Sequence, residues 1–244
     1  LVTVRQPSLD PTGIDVTNND SCVGTPKDLT VVGGNLGDGA TWEWYSDATF
    51  TTSAGSGVSI TVDPLVSTTY YVRAEGDCNI TNAVSQLVSV RVPSVAATGI
   101  AVSNDNTCQG TSKTLTVQGG SLGDGADWVW STDAGFATTE GTGVSIVVDP
   151  LISTTYYVRA EGDCNTTVSV SQLVTVKIPS QAATGIAVTN DNTCQGDSKT
   201  LTVQGGLLGD GADWYWSTDA GFSTSEGTGA SIVVDPAVTT TYYV

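Results

Sequence analysis

The clearest alternation of hydrophobic and polar positions lies in residues 144–164. Val144, Ile146 and Val148 fall on one side of an extended chain, and the residues between them fall on the other. A period of two with branched side chains indicates a β-strand with one buried face. Pro150 ends this strand, because proline has no N–H for a ladder hydrogen bond, and a second alternating segment follows. The pattern therefore predicts two strands joined across the edge of a sandwich.

This pattern is part of a long internal repeat. The tripeptide TGI begins at Thr12, Thr98 and Thr184, a step of 86 residues each time. Each repeat has the size of a small domain rather than of a short solenoid unit. We predict the last strand of a preceding repeat at 1–8, whole repeats at 9–94 and 95–180, and a third at 181–244 that stops before its last strand. Both ends fall inside strand patterns, so we expect a window from a longer tandem array.

Short alternating segments within each repeat are separated by turns rich in glycine, asparagine and aspartate. We find no segment with helical periodicity. Six or seven short strands with turn signals between them are typical of an antiparallel β-sandwich. The sequence therefore predicts an all-β chain of tandem antiparallel sandwich domains.

Each repeat carries a Trp-x-Trp motif and, further along, a tyrosine pair. Residues two apart on a strand share a face, so both tryptophans of a motif point the same way. The predicted core aromatics are Trp42, Trp44, Trp128, Trp130, Trp214, Trp216, Tyr70, Tyr156 and Tyr242. The alternative is that the tryptophans form an exposed platform for sugar stacking. The outward aromatics are Tyr71, Tyr157 and Tyr243, with Arg73 and Arg159 beside the first two.

The net charge is −17, with 25 acidic residues against eight basic ones. The acidity is spread evenly over the repeats. This charge disfavours binding to nucleic acid or to an anionic membrane, since both need basic patches. It suits a solvated extracellular surface, and no apolar run is long enough to cross a membrane.

The cysteines fall at positions 22, 78, 108, 164 and 194, so that two pairs share a separation of 56 residues. We predict the disulfides Cys22–Cys78 and Cys108–Cys164, one per repeat, and an oxidising compartment. Cys194 would need a partner at position 250, beyond the sequence. Zinc binding is disfavoured, because there is no histidine and no Cys-x-x-Cys pair.

Candidate chemistry is sparse. Without histidine the usual general base is missing, so we do not expect an enzyme or an organic cofactor. Calcium is the one cofactor hypothesis, because the loops supply the hard oxygen ligands it prefers. The candidate ligands are Asp105, Asp124, Asp127, Asp191, Asp210 and Asp213. Ordinary turn chemistry is the alternative.

The motifs of each repeat follow a fixed order that resembles the pattern of a known family. The order is a cysteine, Trp-x-Trp, VxIxVDPLxxTTYYV, and a second cysteine followed by a VxV strand. It is similar to the immunoglobulin-like repeats of large secreted surface proteins of Bacteroidota, along all 244 residues. The resemblance implies tandem immunoglobulin-like, fibronectin III-like sandwiches that act in adhesion, attachment or gliding, with the repeats as a stalk. The cysteines flank strands instead of sitting mid-strand opposite the tryptophan, so we expect the bridge to close one pole of each sandwich.

We therefore expect a stalk or filament segment of an extracellular cell-surface adhesin. Its expected partners are neighbouring repeats, laterally or head-to-tail associated copies, and an unknown surface or polysaccharide ligand at a distal tip. One alternative is a carbohydrate- or calcium-dependent binding module. Another is a subunit that polymerises by strand donation, since residues 1–4 match a final strand and the chain ends without one. Against strand donation, Cys194 would lack its predicted partner.

Overall fold

The computed structural model describes residues 2–244, and within that range it contains β-strands and no helix. The first repeat has β1 (Gly13–Val16), β2 (Ser21–Cys22), β3 (Lys27–Val32), β4 (Thr41–Tyr45), β5 (Ser53–Ser56), β6 (Ser59–Val62), β7 (Thr68–Glu75), β8 (Val84–Val88) and β9 (Val90–Arg91). The second has β10 (Gly99–Ser103), β11 (Thr107–Cys108), β12 (Lys113–Gln118), β13 (Asp127–Ser131), β14 (Gly141–Thr142), β15 (Ser145–Val148), β16 (Thr154–Glu161), β17 (Val170–Val174) and β18 (Val176–Lys177). The third has β19 (Gly185–Thr189), β20 (Lys199–Gln204), β21 (Tyr215–Trp216), β22 (Gly227–Thr228) and β23 (Ser231–Val234).

Two antiparallel sheets build the first repeat, with strand orders β1-β3-β6 and β5-β4-β7-β8. Alternate residues of β3, β4 and β7 are buried, as the two-residue period requires. The core between the sheets holds Leu29, Trp42, Trp44, Tyr70, Val72, Ala74 and Val88. The all-β antiparallel sandwich expected from the pattern is confirmed.

A short parallel pair closes one edge of the first repeat. β2 pairs with β9, and the register places Ser21 opposite Val90 and Cys22 opposite Arg91. The second repeat has the same arrangement, with strand orders β10-β12-β15 and β14-β13-β16-β17 and the parallel pair β11-β18. The third repeat has β19-β20-β23 and β21-β22. Its residues 193–194, which correspond to β2, form no strand.

The buried tryptophan of each motif is held by a hydrogen bond to the edge of the sandwich. Trp44 Nε1 donates to Gly57 O at 2.8 Å, and Trp130 and Trp216 make the same bond to Gly143 and Gly229 at 2.8 and 2.9 Å. The indole can therefore be fully buried without leaving its N–H unsatisfied.

The chain divides into two compact units. Unit 1 is Leu1–Gly99, Val117–Val144 and Val158–Val170, and unit 2 is Ile100–Thr116, Ser145–Tyr157 and Ser171–Val244. Unit 1 thus combines the first repeat with part of the second, and unit 2 combines the rest of the second with the third. Between residues 2 and 244, no helix has the length and apolar character needed to cross a membrane.

Residues 2–8 belong to no strand, although a final strand is predicted at 1–8. Leu1 lies outside the described residues. A strand exists only through ladder bonds to a neighbour, and the predicted neighbour would be a preceding repeat. The alternating pattern therefore shows that residues 2–8 are suited to pairing in a sheet, not that they are paired.

Candidate functional site: the junction of the first two repeats

One disulfide links the first repeat to the second. Cys22 and Cys164 are bonded with a Cα–Cα distance of 5.6 Å and a sequence separation of 142 residues. Cys78, Cys108 and Cys194 are exposed free thiols. The predicted pairings Cys22–Cys78 and Cys108–Cys164 are therefore wrong. The bridge does not close a pole within one sandwich but joins consecutive repeats.

The parallel pair β2-β9 explains this pairing. It places Cys22 beside Arg91, where the first repeat ends. Arg91 in turn forms ion pairs with Asp20 and with Asp163, which directly precedes Cys164. Cys22 comes early in the sequence of the first repeat, but in space it lies at the C-terminal end of that repeat. It is therefore next to the loop of the second repeat that carries Cys164. All of these residues lie in unit 1.

Charge reinforces the contact. The pKa of the Asp20 carboxyl is lowered because Arg91 donates a hydrogen bond to it and carries a positive charge nearby. The same partner raises the pKa of the Arg91 guanidinium. Since these groups are exposed to solvent, screening keeps the energy of the ion pairs small. The main effect of these ion pairs is to orient the loop next to the disulfide, and their contribution to stability is small.

A second set of contacts fixes the linker between the repeats. Val92 N donates to Asp124 Oδ2 at 2.7 Å. Ser94 N donates to Asn165 Oδ1 at 2.8 Å, and Asn165 Nδ2 donates back to Ser94 O at 2.9 Å. We call these bonds the linker clamp. They satisfy backbone groups that a free linker would leave to water, and they hold the linker on the second repeat.

The linker clamp recurs wherever the sequence supplies its residues. Ser8 and Asn79 exchange the same pair of hydrogen bonds at 2.8 and 3.0 Å. Ile178 N donates to Asp210 Oδ2 at 2.8 Å in unit 2. The clamp is therefore a property of the repeat and not of one junction.

Three glycines let the linker approach closely. A Cβ at Gly123 would lie 2.1 Å from Val92 O, and Cβ atoms at Gly37 and Gly209 would lie 2.2 Å from Gln6 O and from Ile178 O. No real Cβ tolerates such contacts, so the loop needs glycine where it meets the linker backbone. The sequence motif around these glycines is thus a docking surface for the linker.

The predicted calcium ligands do not converge. Among residues 2–244, no group of three or more carboxylates, cysteines or histidines is placed to hold a metal ion. Each of the six side chains instead accepts a hydrogen bond from a backbone N–H group. The pairs are Asp105 with Thr175, Asp124 with Val92, Asp127 with Trp128, Asp191 with Asn192, Asp210 with Ile178, and Asp213 with Trp214. In the structure these carboxylates therefore cap or clamp backbone segments, and calcium binding stays a prediction.

The predicted core aromatics are placed as follows. Trp42, Trp44, Trp128, Trp130, Trp216, Tyr70 and Tyr156 are buried, and Trp214 and Tyr242 are half-buried. Buried indoles cannot stack on a sugar, so the buried tryptophans form no exposed platform.

An outer aromatic cluster surrounds Arg73, which the sequence placed beside Tyr71 only. The Arg73 guanidinium lies 4.0 Å from the ring centroid of Phe50 and 5.4 Å from that of Tyr45. Glu75 accepts hydrogen bonds from Arg73 Nε at 2.8 Å and from the Tyr45 hydroxyl at 2.6 Å. The two-residue period does not single out Phe50, because this residue lies in a loop, where its φ is 58°. The recurrence of this phenylalanine at Phe136, 4.0 Å from Arg159, was the available signal.

The family comparison covers the first repeat. Residues 10–92 match the family model described as "Ig-like domain CHU_C associated". This match supports an immunoglobulin-like repeat for that part of the chain. A search of curated proteins finds no match.

Solved structures with similar architecture come from proteins with several immunoglobulin domains. The mouse nectin-like molecule 4 ectodomain is 16% identical over 70% of this chain and 66% of its own, with a TM-score of 0.39. DIP-gamma IG1+IG2 is 14% identical over 71% and 98%, with a TM-score of 0.42. Sidekick-1 immunoglobulin domains 1–5 are 10% identical over 96% and 54%, with a TM-score of 0.46. Likeness at this level carries no argument about function; the immunoglobulin-like sandwich rests on the sheets and on the family match.

Proposed function

We propose that this chain is a mechanical spacer of an extracellular cell-surface protein, a stalk or filament segment of the kind found in bacterial adhesins. The single observation that carries the proposal is the Cys22–Cys164 bridge, which joins consecutive repeats. A disulfide inside one repeat would protect that repeat only. A disulfide between repeats adds a second covalent connection across the junction, beside the linker peptide.

The linker clamp supports the same role. A free linker costs little to bend, and ordering each of its residues opposes folding by about 1–2 kcal/mol of backbone entropy. The hydrogen bonds at Val92 and Ser94 offset that cost by fixing the linker on the second repeat. A spacer that must hold a distal part away from a surface needs such a junction, whereas a flexible tether does not.

The domain organisation belongs to this proposal. We infer independent immunoglobulin-like domains at 9–94, 95–180 and 181–244, in an array whose partners are neighbouring repeats and further copies. The even negative charge of −17 suits such an array, because it keeps lateral neighbours apart. Binding of a surface or polysaccharide is assigned to a distal tip and not to these repeats, and no enzymatic step is proposed.

Stretching single molecules from end to end tests the proposal. The variant Cys78→Ser/Cys108→Ser/Cys194→Ser keeps the bridge and removes the free thiols. With the bridge intact, the 142 residue steps between Cys22 and Cys164 cannot extend. At about 3.3–3.6 Å per residue, reduction should lengthen the fully unfolded chain by about 470–510 Å.

The matched control is the same variant with Cys22→Ser, which should show the longer length with or without reductant. In the unmodified chain, the two pairings predicted from the sequence, Cys22–Cys78 and Cys108–Cys164, would instead hide two segments of 56 residues each, or about 370–400 Å in total. Equal extension of the oxidised and reduced chains would mean that the bridge bears no load, and the proposal would fail.

A further inference from the structure

We propose that the linker clamp selects the disulfide partner of Cys22. The linker docks on the second repeat first, and the bridge to Cys164 forms afterwards, between two residues that the docked linker already holds side by side. Gly123, Asp124 and Asn165 are then positioning residues for the oxidation. The inference concerns the order of folding and oxidation and does not depend on the spacer role.

The folded first repeat keeps Cys22 and Cys78 at opposite ends. Cys22 lies opposite Arg91 of β9, which follows β8, and the end of β8 lies opposite Thr68, the first residue of β7. Cys78 lies in the turn that follows β7. β7 has eight residues, and at about 3.3 Å per residue its two ends are about 23 Å apart. A disulfide needs Cα atoms within about 7 Å of each other, so this pair does not fit the folded repeat.

The unfolded chain favours the opposite choice of partner. Cys78 is 56 residues from Cys22, whereas Cys164 is 142 residues away. The probability that a flexible chain closes a loop falls with about the 3/2 power of the loop length, so the shorter loop forms about four times as often. The observed bridge is therefore the product expected from a folded and docked chain. Oxidation before folding would join Cys22 to the wrong partner.

In the folded chain a short path connects the two bonded cysteines. The register of β2 on β9 fixes Cys22 opposite Arg91. Three residues after Arg91, Ser94 exchanges two hydrogen bonds with Asn165, the residue next to Cys164. The docked linker thus places Cys164 beside Cys22 by hydrogen bonds alone.

The linker between these points is held along its length. Val92 N donates to Asp124 Oδ2, and Asp124 N donates to Val92 O at 3.0 Å. Val95 and Ser121 exchange backbone hydrogen bonds at 2.8 and 3.1 Å. Gly123 lies against the same segment, because a Cβ there would be 2.1 Å from Val92 O. The position of the second cysteine therefore depends on this docking.

Bridge formation needs an oxidant, for which we name a low-molecular-weight disulfide such as oxidised glutathione. The Cys22 thiolate attacks this disulfide, forms a mixed disulfide and releases one small thiolate. The Cys164 thiolate then attacks the Cys22 sulfur and releases the second small thiolate. One protein disulfide forms, the small disulfide is reduced, and the two cysteine protons end on the two small thiols. The clamp acts on the second attack, because it sets how often Cys164 meets the mixed disulfide.

The first test uses the variant Cys108→Ser/Cys194→Ser, in which Cys78 and Cys164 compete for Cys22. The reduced protein is oxidised with glutathione, once folded and once in concentrated urea, and peptide mass spectrometry quantifies the disulfides. We expect Cys22–Cys164 as the main product of the folded chain. In urea, Cys22–Cys78 should exceed it about fourfold. Cys22–Cys78 as the main product of the folded chain would overturn the proposal, and so would a predominance of Cys22–Cys164 in urea.

A glycine substitution tests the docking itself. The φ of Gly123 lies outside the left-handed region, so Gly123→Ala acts through the contact of its new methyl group with Val92 O. We expect the equilibrium constant for forming the bridge against glutathione to fall about tenfold or more, since several clamp hydrogen bonds are lost together.

The matched control is Gly209→Ala, whose methyl group would lie 2.2 Å from Ile178 O at the corresponding position of the third repeat. It should leave that equilibrium constant unchanged. An unchanged constant for Gly123→Ala, or an equal fall for both variants, would overturn the proposal.

A second pair of variants separates positioning from folding. Asp124→Ala deletes the acceptor of the Val92 N–H, whereas Asp124→Asn keeps an oxygen there. We expect Asp124→Ala to lower the equilibrium constant of the bridge and Asp124→Asn to restore most of it. Hydrogen exchange in second-repeat peptides of the reduced variants should match the parent chain. A loss that Asp124→Asn does not restore, or one accompanied by faster exchange in the core of the second repeat, would contradict a positioning role.

Discussion

The first and third repeats share nearly the same core sequence but differ in how completely it is buried. Trp42 is 5% exposed and Lys27 is fully buried in the first repeat, whereas Trp214 and Lys199 are only half-buried in the third. β4 runs over Thr41–Tyr45, while the corresponding β21 covers only Tyr215–Trp216. The tryptophan that keeps full burial in both is the inner one, Trp44 or Trp216.

The difference lies at the edge that the final strand closes. In the first repeat, β8 and β9 carry Val88 and Val90 into the core and pair with β7 and β2. The described part of the third repeat has no such strand. The third repeat thus keeps Trp216 fully buried, while Trp214 is only half-buried. Three pairs of substitutions measure what the packing around the final strand contributes to stability.

The largest effect is expected for the outer tryptophan. Trp42→Ala should destabilise the first repeat by about 3–5 kcal/mol, because a fully packed indole leaves a cavity. Trp214→Ala should cost the third repeat about 1–2 kcal/mol, because solvent already reaches the ring. Hydrogen exchange, followed by mass spectrometry on peptides from each repeat, measures the two separately. Equal losses would mean that the open edge does not weaken packing around Trp214.

A smaller effect is expected for the final strand itself. Val88→Ala should cost about 2 kcal/mol, from the buried methyl groups removed and the space they leave. Val2→Ala, at the corresponding position of the free N-terminal segment, should change the stability of the monomer by less than about 0.5 kcal/mol. Chemical denaturation at low protein concentration gives both values. A loss at Val2 comparable to that at Val88 would show that residues 2–5 are already packed within one molecule.

The smallest effect concerns acid stability. Burial acts to raise the pKa of Asp105, but hydrogen bonds from Thr175 N and Oγ1 outweigh it, and the net pKa is lowered. A carboxyl with a lowered folded-state pKa contributes stability above its unfolded value of about 3.9, and this is lost as the pH falls through the folded value. Asp105→Ala should therefore lower stability at pH 7 and flatten the loss below pH 4.

The control for this prediction is Asp191→Ala. Asp191 accepts its hydrogen bond from the adjacent Asn192 N at 3.0 Å and holds no final strand. Its replacement should leave the acid transition unchanged. Denaturation midpoints at pH 7, 4 and 2.5 measure both variants, and an identical pH profile for Asp105→Ala and the parent chain would contradict the assigned role.

The alternation of hydrophobic residues was enough to predict the sheets. The two-residue period of β7 and β16, the Trp-x-Trp faces and the proline after β15 each reflect a local rule, so the sandwich could be read from them. Local rules act within a few residues and need no knowledge of which segments meet.

The disulfide could not be predicted in the same way. Cys22 has a possible partner 56 residues away in its own repeat, Cys78, and another 142 residues away in the next repeat, Cys164. The two candidates are related by a single 86-residue step. In a periodic sequence both separations recur with the repeat, so spacing alone does not show which segments meet. Only the parallel pairing of β2 with β9, a contact between the two ends of one repeat, distinguishes them. Composition likewise does not reveal that Asp124 and Asp105 accept hydrogen bonds from different segments, and calcium binding stays a prediction.

The bridge at Cys22 and Cys164 also has a consequence for proteolysis. The peptide between these cysteines includes the whole linker and most of two repeats. A protease that cuts this stretch once therefore leaves the residues before Cys22 covalently attached to those after Cys164. A nick that would sever an ordinary string of domains leaves this one in a single piece for as long as its surroundings stay oxidising.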